Sequence, residues 1–250
     1  MSTSVQIIPA TSLMLAFIPV AVVIVILYRW SLGSRTAIYS VVRMLVQLLL
    51  IGYVLVFIFD SNRADIVIMV LAVMLFAASW IAIRPVKRKQ RRLYFMVVAS
   101  LAVGGFSTLL LITQIVLTLD PWFLPHYMVP IGGMIFANAM NTVSLAAERF
   151  EAERDNGVAY VEARRIALQA AMIPVINSFF AVGLVSLPGM MTGQILSGVS
   201  PLIAARYQIV VMCMVFGSSG IAAACYLMLA GRGAALSAAQ ADKNGGGVPD

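Results

Sequence analysis

Long apolar runs alternate with short polar gaps along almost the whole chain. The runs lie at about Pro9 to Tyr28, Ala37 to Phe59, Asp65 to Ile83, Tyr94 to Leu117, Met128 to Ala147, Ala167 to Leu187 and Tyr207 to Ala230. Each is about 20 residues long, enough to cross the hydrocarbon of a bilayer as a helix. The pattern predicts an all-α, polytopic membrane protein with seven transmembrane helices. Pro19 is a candidate kink in the first span, which closes on Arg29 and Trp30, an arginine and an aromatic anchor at headgroup level. Met1 to Ile8 carries no lysine or arginine, so no removable signal peptide is expected.

One stretch breaks the pattern. Gly183 to Pro201 reads GLVSLPGMMTGQILSGVSP, and Pro188-Gly189 is predicted to break the sixth span, because proline removes a backbone donor and glycine opens conformations closed to other residues. The apolar run after it is too short to span a bilayer. Broken backbone at membrane depth needs protein or a water-filled cavity beside it, which makes Pro188, Gly189, Met190, Met191 and Gln194 candidates for a substrate pathway. An external turn followed by an interfacial helix accounts for the same residues.

Composition agrees with the class. The chain is 62% hydrophobic and 11% charged, with a net charge of +7, where a soluble domain carries about 25% charged residues. The positive residues sit between the apolar runs rather than on one face, so they read as topology signals and not as a nucleic-acid surface. Arg29 and Arg35, Arg84 to Arg92, Arg149 to Arg165, and Arg232 and Lys243 fall on one side, against Arg63 and Arg206 on the other. Positive residues favour the cytoplasm, which puts the N-terminus out and the C-terminus in. Residues 1–230 form one membrane domain by this reading, and Gly231 to Asp250, rich in alanine and glycine, form a disordered cytoplasmic tail.

Polar residues inside the spans are the next candidates. Arg43 and Gln47 share a helical face in the second span, where an arginine must face protein, water or the nearby cytoplasmic end. In the fifth span Gly133 and Ala137 have the spacing that lets helices approach, while Asn138 and Asn141 present amides one turn apart. These amides, with Asn177 in the sixth span, serve either a pathway or interhelical hydrogen bonds. Met190-Met191 is a candidate soft-metal pair, although softer metals usually recruit cysteine or histidine. Cys213 and Cys225 have neither metal-ligand spacing nor a histidine nearby.

The longest cytoplasmic gap, between Ala147 and Ala167, holds five acidic and four basic residues. It predicts helix, an interruption near Asn156-Gly157, and helix again, with Glu148, Glu151, Gly157, Glu162, Arg164 and Arg165 available to a cytoplasmic partner. A solvated helical extension fits the same residues. The chain lacks the glycine-rich phosphate cradle of nucleotide-driven machines, so ATP hydrolysis would belong to another polypeptide. No nucleophile with a base, and no paired carboxylates, lie inside the spans, which speaks against an intramembrane enzyme. A scaffold without transport stays open.

Three stretches carry a resemblance: VRMLVQLLLIGYVLVFIF (Val42 to Phe59), VPIGGMIFANAMNTVSLA (Val129 to Ala146) and VGLVSLPGMMTGQILSGVSPLIAARYQIVVM (Val182 to Met212). Together they resemble the FetB family of ABC-transporter permease subunits, from the second span to the seventh. The resemblance implies a multi-pass permease of the cell (inner) membrane, acting as a homodimer with a separate FetA-type ATP-binding subunit that holds ATP and magnesium, and binding no cofactor itself. Bacterial relatives are associated with iron export, and plant relatives with aluminium tolerance and a nucleotide-sugar cargo, so the family points to the machine more than to its cargo. Bacterial relatives commonly carry a Leu-Gly-Ala turn before the sixth span; here Gly157-Val158-Ala159 stands in its place.

Overall fold

The computed structural model of the protein describes residues 9–61, 63–86 and 91–245, with the side chains of Ala10 and of residues 232–245 left aside. Every regular element among these residues is helical. They are α1 (Ala10–Leu15), α2 (Ile18–Arg29), α3 (Ser34–Ser61), α4 (Ala64–Ala82), α5 (Arg91–Leu110) continuing into a π-helical segment (Leu111–Val116), α6 (Pro125–Asp155), α7 (Tyr160–Ala181), α8 (Gly189–Leu196) and α9 (Pro201–Gly245). Among the described residues, six helices are long and apolar enough to cross a membrane, by length and composition.

The chain falls into two units, Met1–Asn62 with Leu196–Gly198, and Arg63–Ile195 with Val199–Asp250. In the first, α2 and α3 pack side by side. α2 buries no residue and α3 only Ile58. Side chains such as Leu49 (73% exposed) and Phe57 (67%) would form an aggregating patch in water. With mean hydropathies of 2.5 and 2.4 over these two spans, lipid is the solvent that suits them. The first span differs from expectation in one detail. The chain turns at Ala16 and Phe17, and Pro19 sits in the opening turn of α2, where a missing N–H costs nothing, so it starts a helix rather than kinking one.

The second unit is built around α6 and α9. α9 packs against α5, α6 and α7, and α6 also against α4, α5 and α7. Between helices already in lipid the hydrophobic effect gives little, so close contact and small residues must hold the bundle. Val97, Leu101, Gly104, Thr108 and Ile112 form the buried stripe of α5 and its continuation. A Cβ on Gly104 would sit 2.7 Å from the Ala222 backbone nitrogen, so α5 and α9 touch backbone to backbone there. Gly132 lies under Leu71 of α4, and Phe106 meets Phe136 edge to face at 5.4 Å between ring centres. The tight glycine of α6 is therefore Gly132, not Gly133, whose Cβ would meet only the Met74 methyl at 3.7 Å, and Ala137 is exposed. Buried hydroxyls of Ser79, Ser100, Thr108 and Thr113 donate to carbonyls one turn back in their own helices, which removes their cost in an apolar surrounding.

The α6–α7 connection follows its sequence. The Gly157 amide donates to the Arg154 carbonyl and the Val158 amide to the Glu153 carbonyl, both at 3.1 Å, with Gly157 at φ +81°. This is the Schellman helix end, which needs a left-handed residue where Gly157 stands.

The sixth span requires a correction. α7 ends at Ala181, about two turns before Pro188-Gly189. Gly183 takes φ +81°, and the Ala181 carbonyl accepts from the amides of Leu184, Val185 and Ser186, folding residues 182–186 into a compact turn. Pro188 then precedes the first residue of α8, and its carbonyl accepts from the Thr192 amide at 3.0 Å. Pro188-Gly189 begins a helix instead of breaking one. Because α7 stops early and carries Arg164 and Arg165 in its first turns, it is not one of the six long apolar helices.

Of the residues that set the expected orientation, Lys87, Arg88 and Lys89 lie outside the described residues, as do the side chains of Arg232 and Lys243. α9 runs on to Gly245. Residues 246–250, and Met1 to Ile8, lie outside the described residues.

Candidate functional site

Two cavities of the second unit are lined by candidate pathway residues. The larger, about 570 Å³, lies at the end away from the charged connection. Its walls come from the π-helical segment and the chain after it (Ile112, Leu117), the start of α6 (His126, Tyr127, Pro130, Ile131, Met134), α8 (Met190, Gln194) and the first turns of α9 (Val199, Ile203, Tyr207, Val210, Val211, Met214). α8 supplies Met190 and Gln194 because residues four apart share a helical face. Its C-terminal end is held by the Val199 amide, which donates to the Gln194 carbonyl at 3.0 Å. π-helical turns accompany functional sites often enough to be informative, and here one carries Ile112 into the wall. Beyond it Thr118 adopts φ +47°, a strained conformation for a β-branched residue.

The smaller cavity, about 140 Å³, lies further along the same helices. It is lined by Asn138, Asn141, Thr142 and Leu145 of α6, Ala171, Pro174, Val175 and Ser178 of α7, and Val215 of α9. Its polar groups are partly occupied: Asn138 Nδ2 donates to the Met134 carbonyl at 2.8 Å, Thr142 Oγ1 to the Asn138 carbonyl at 3.0 Å, and Ser178 Oγ to the Val175 carbonyl at 2.6 Å. The two cavities are neighbours along α6 and α9. Met134 and Met214 line the larger, Asn138 and Val215 the smaller.

The candidate pathway residues are thus dispersed. Met190 and Gln194 share the larger cavity, Asn138 and Asn141 the smaller, and Met191 lines neither. Met191 points about 100° around α8 from Met190, away from the cavity wall. Met190 is joined instead by Met134 and Met214. Among the described residues no three of His, Cys, Asp and Glu gather into a metal-binding group. Asn177 is exposed and lines neither cavity, and Pro188 and Gly189 lead into α8. Arg43, half-buried, and Gln47, exposed, lie on α3 in the first unit.

At the other end of the bundle the charged connection is a built structure. The Arg149–Glu153 ion pair spans one turn of α6 at 2.6 Å, and Arg154 Nη1 donates to the Val158 carbonyl at 2.8 Å across the turn. Tyr160, the first residue of α7, donates its hydroxyl to the Leu227 carbonyl of α9 at 2.9 Å. Its ring packs edge to face on Phe150 at 5.9 Å and lies under the Arg164 guanidinium at 5.6 Å. Arg165 holds Glu162 through two hydrogen bonds and keeps its carboxyl below the usual carboxylate range. Glu148, Gly157 and Arg165 are exposed, and Glu151, Glu162 and Arg164 half-exposed, so the surface is open to a partner. Sequence reasoning passed over Tyr160, Met134, Tyr207 and Met214. The signal for Tyr160 was an aromatic residue inside a charged stretch.

Residues 10–234 match the uncharacterised protein family UPF0014. The chain is 33% identical to the probable iron export permease protein FetB of Escherichia coli, covering 86% of this chain and 89% of that one. It is 35% identical to a UPF0014 membrane protein of Synechocystis, over 69% of this chain and 73% of the relative. It is also 32% identical to the protein Aluminum Sensitive 3 of Arabidopsis thaliana, over 82% and 80%. No solved structure matches it. Six apolar helices, apolar faces turned outward and a match across nearly the whole sequence lead to one assignment: the chain is a multi-pass membrane protein and belongs to the UPF0014 family.

Proposed function

We propose that this chain is the permease subunit of an ATP-driven exporter of the ABC type, working as a homodimer in the cell (inner) membrane. Seven crossings, with α7 as the sixth, put the N-terminus out and the C-terminus in. ATP and magnesium belong to a separate FetA-type subunit docked on Glu148 to Arg165. One observation carries the reading. The charged connection is tied through Tyr160 to α9, and α9 at its other end lines both cavities. Motion imposed at the connection reaches the cavities along one continuous helix. The name of the E. coli relative supports iron as the cargo. An organic solute is the second reading, favoured by the mainly apolar lining of the larger cavity.

The test is transport in inside-out membrane vesicles holding the permease and its ATP-binding partner. ATP-dependent accumulation of ferrous iron, absent when the partner cannot hydrolyse ATP, is the expected result. Vesicles in which the two chains copurify but no iron moves would overturn iron as the cargo. Failure to copurify would overturn the ABC-type reading.

A further inference from the structure

The larger cavity has a chemistry of its own. At about 570 Å³ it falls in the range of small-molecule sites, roughly 300–1,000 Å³, and far exceeds what a bare ion needs. No carboxylate, lysine, arginine or cysteine is among its lining residues. A hard cation would have to shed water here against mainly apolar walls, which offer the Gln194 amide oxygen and the phenols of Tyr127 and Tyr207 but no carboxylate, fewer than the about six oxygens it requires. A charged organic molecule would meet the same desolvation cost without a counter-ion. The thioethers of Met134, Met190 and Met214 instead give a polarisable, adaptable surface suited to apolar groups.

One atom asks for more than apolar contact. Gln194 Oε1 is buried and no described group donates to it. Gln208 Oε1 and Ser219 Oγ share that condition, but Gln194 alone of the three lines this cavity. A buried acceptor without a donor costs about 1–3 kcal/mol, a cost that a ligand's own N–H or O–H can cancel once the Gln194 side chain turns its amide from the wall into the cavity.

We infer that this cavity binds an uncharged, largely apolar organic molecule carrying a hydrogen-bond donor for Gln194 Oε1. The ligand's identity as cargo rests on the permease reading; its binding does not. If iron travels by this route, it does so inside a neutral organic complex.

The experiment uses the full chain in lipid nanodiscs and tritiated N-phenyl-1-naphthylamine, a neutral apolar probe with a single N–H, with its N-methyl analogue as control. Equilibrium binding is measured against empty nanodiscs. Saturable binding of the N–H probe, about tenfold tighter than that of the N-methyl analogue, is expected. Gln194→Leu should abolish that preference while keeping the analogue's affinity, and Met214→Trp should remove saturable binding of both. The comparison of the two probes on the unaltered chain needs no variant to fold. Binding no greater than to empty nanodiscs would overturn the site. Equal affinity for both probes would overturn the role of Gln194, and displacement of the probe by ferrous iron alone would overturn the ligand class. Saturable binding in a protein that transports nothing with the ATP-binding partner would uphold the site and overturn the permease reading alone.

Discussion

The Tyr160 hydroxyl donates to the Leu227 carbonyl at 2.9 Å, joining the first residue of α7 to α9 across 67 positions of sequence. Phe150 and Arg164 pack on the same ring. Gly231, one turn beyond Leu227, leaves room for it, since a Cβ there would overlap the ring. This contact fastens the charged connection to the helix that lines the cavities.

Tyr160→Phe keeps the packing and removes the hydrogen bond, at a cost of about 1 kcal/mol. The expected outcome is a small drop in melting temperature and a larger fall in transport per ATP hydrolysed by the partner. Transport and hydrolysis falling in proportion would show that Tyr160 does not couple them.

Gly104→Val should destabilise the bundle by about 1–3 kcal/mol, because the added atoms meet the backbone of α9 and no rotamer relieves them. Gly133→Ala should be nearly neutral, since its Cβ meets only the Met74 methyl at 3.7 Å. Thermal unfolding in detergent distinguishes the two. Equal effects would mean that α5 and α9 are not in backbone contact.

Asn138→Ala with Asn141→Ala acts on the smaller cavity, and Gln194→Ala on the larger. Substitutions without shared partners add. The loss of transport in the triple variant should therefore equal, as a free energy, the sum of the two separate losses. A marked departure, measured as initial rates at equal expression, would mean that the residues share one cavity.

Arg165 is exposed and Glu162 half-exposed, and the pair spans a single turn of α7 in its charged first half. The hydrogen bonds from Arg165 lower the Glu162 pKa in the folded state, so whatever the pair contributes is present at neutral pH and is lost as pH falls through that lowered value. Solvent screens such a pair strongly. Glu162→Gln should leave the melting temperature unchanged between about pH 5 and 8; a fall throughout that range, vanishing only in more acidic solution where Glu162 is protonated, would show that the pair stabilises the fold.

The membrane class and the helix at most positions were legible because apolar runs of this length have few other uses. The interruption at Asn156-Gly157 was legible as well, since a glycine after a charged helix suits the left-handed C′ position. Pro188-Gly189 misled for a physical reason: proline ends a helix from inside but also stands comfortably at a helix start. What decides between the two is the turn at Gly183 and the three amides gathered by the Ala181 carbonyl, which no local pattern announces. Gly104 reads as filler until α9 is placed against it. The amides of α6 and the residues of α8 read as one site because sequence gives depth but not azimuth, and Met134 separates them by a single turn.

The early end of α7 sets a length. Its apolar part, Ala167 to Ala181, has about 15 residues and spans about 22 Å, while the hydrocarbon of a typical bilayer is about 30 Å thick. As a crossing helix it is too short, and the turn that follows must make up the difference. On the proposed seven-crossing topology, Leu184 and Val185, 90% and 84% exposed at that turn, would meet acyl chains there. On that topology membrane thickness becomes a variable of this protein: a thinner bilayer would relieve the mismatch at the turn beside α8, and a thicker one would draw that turn deeper.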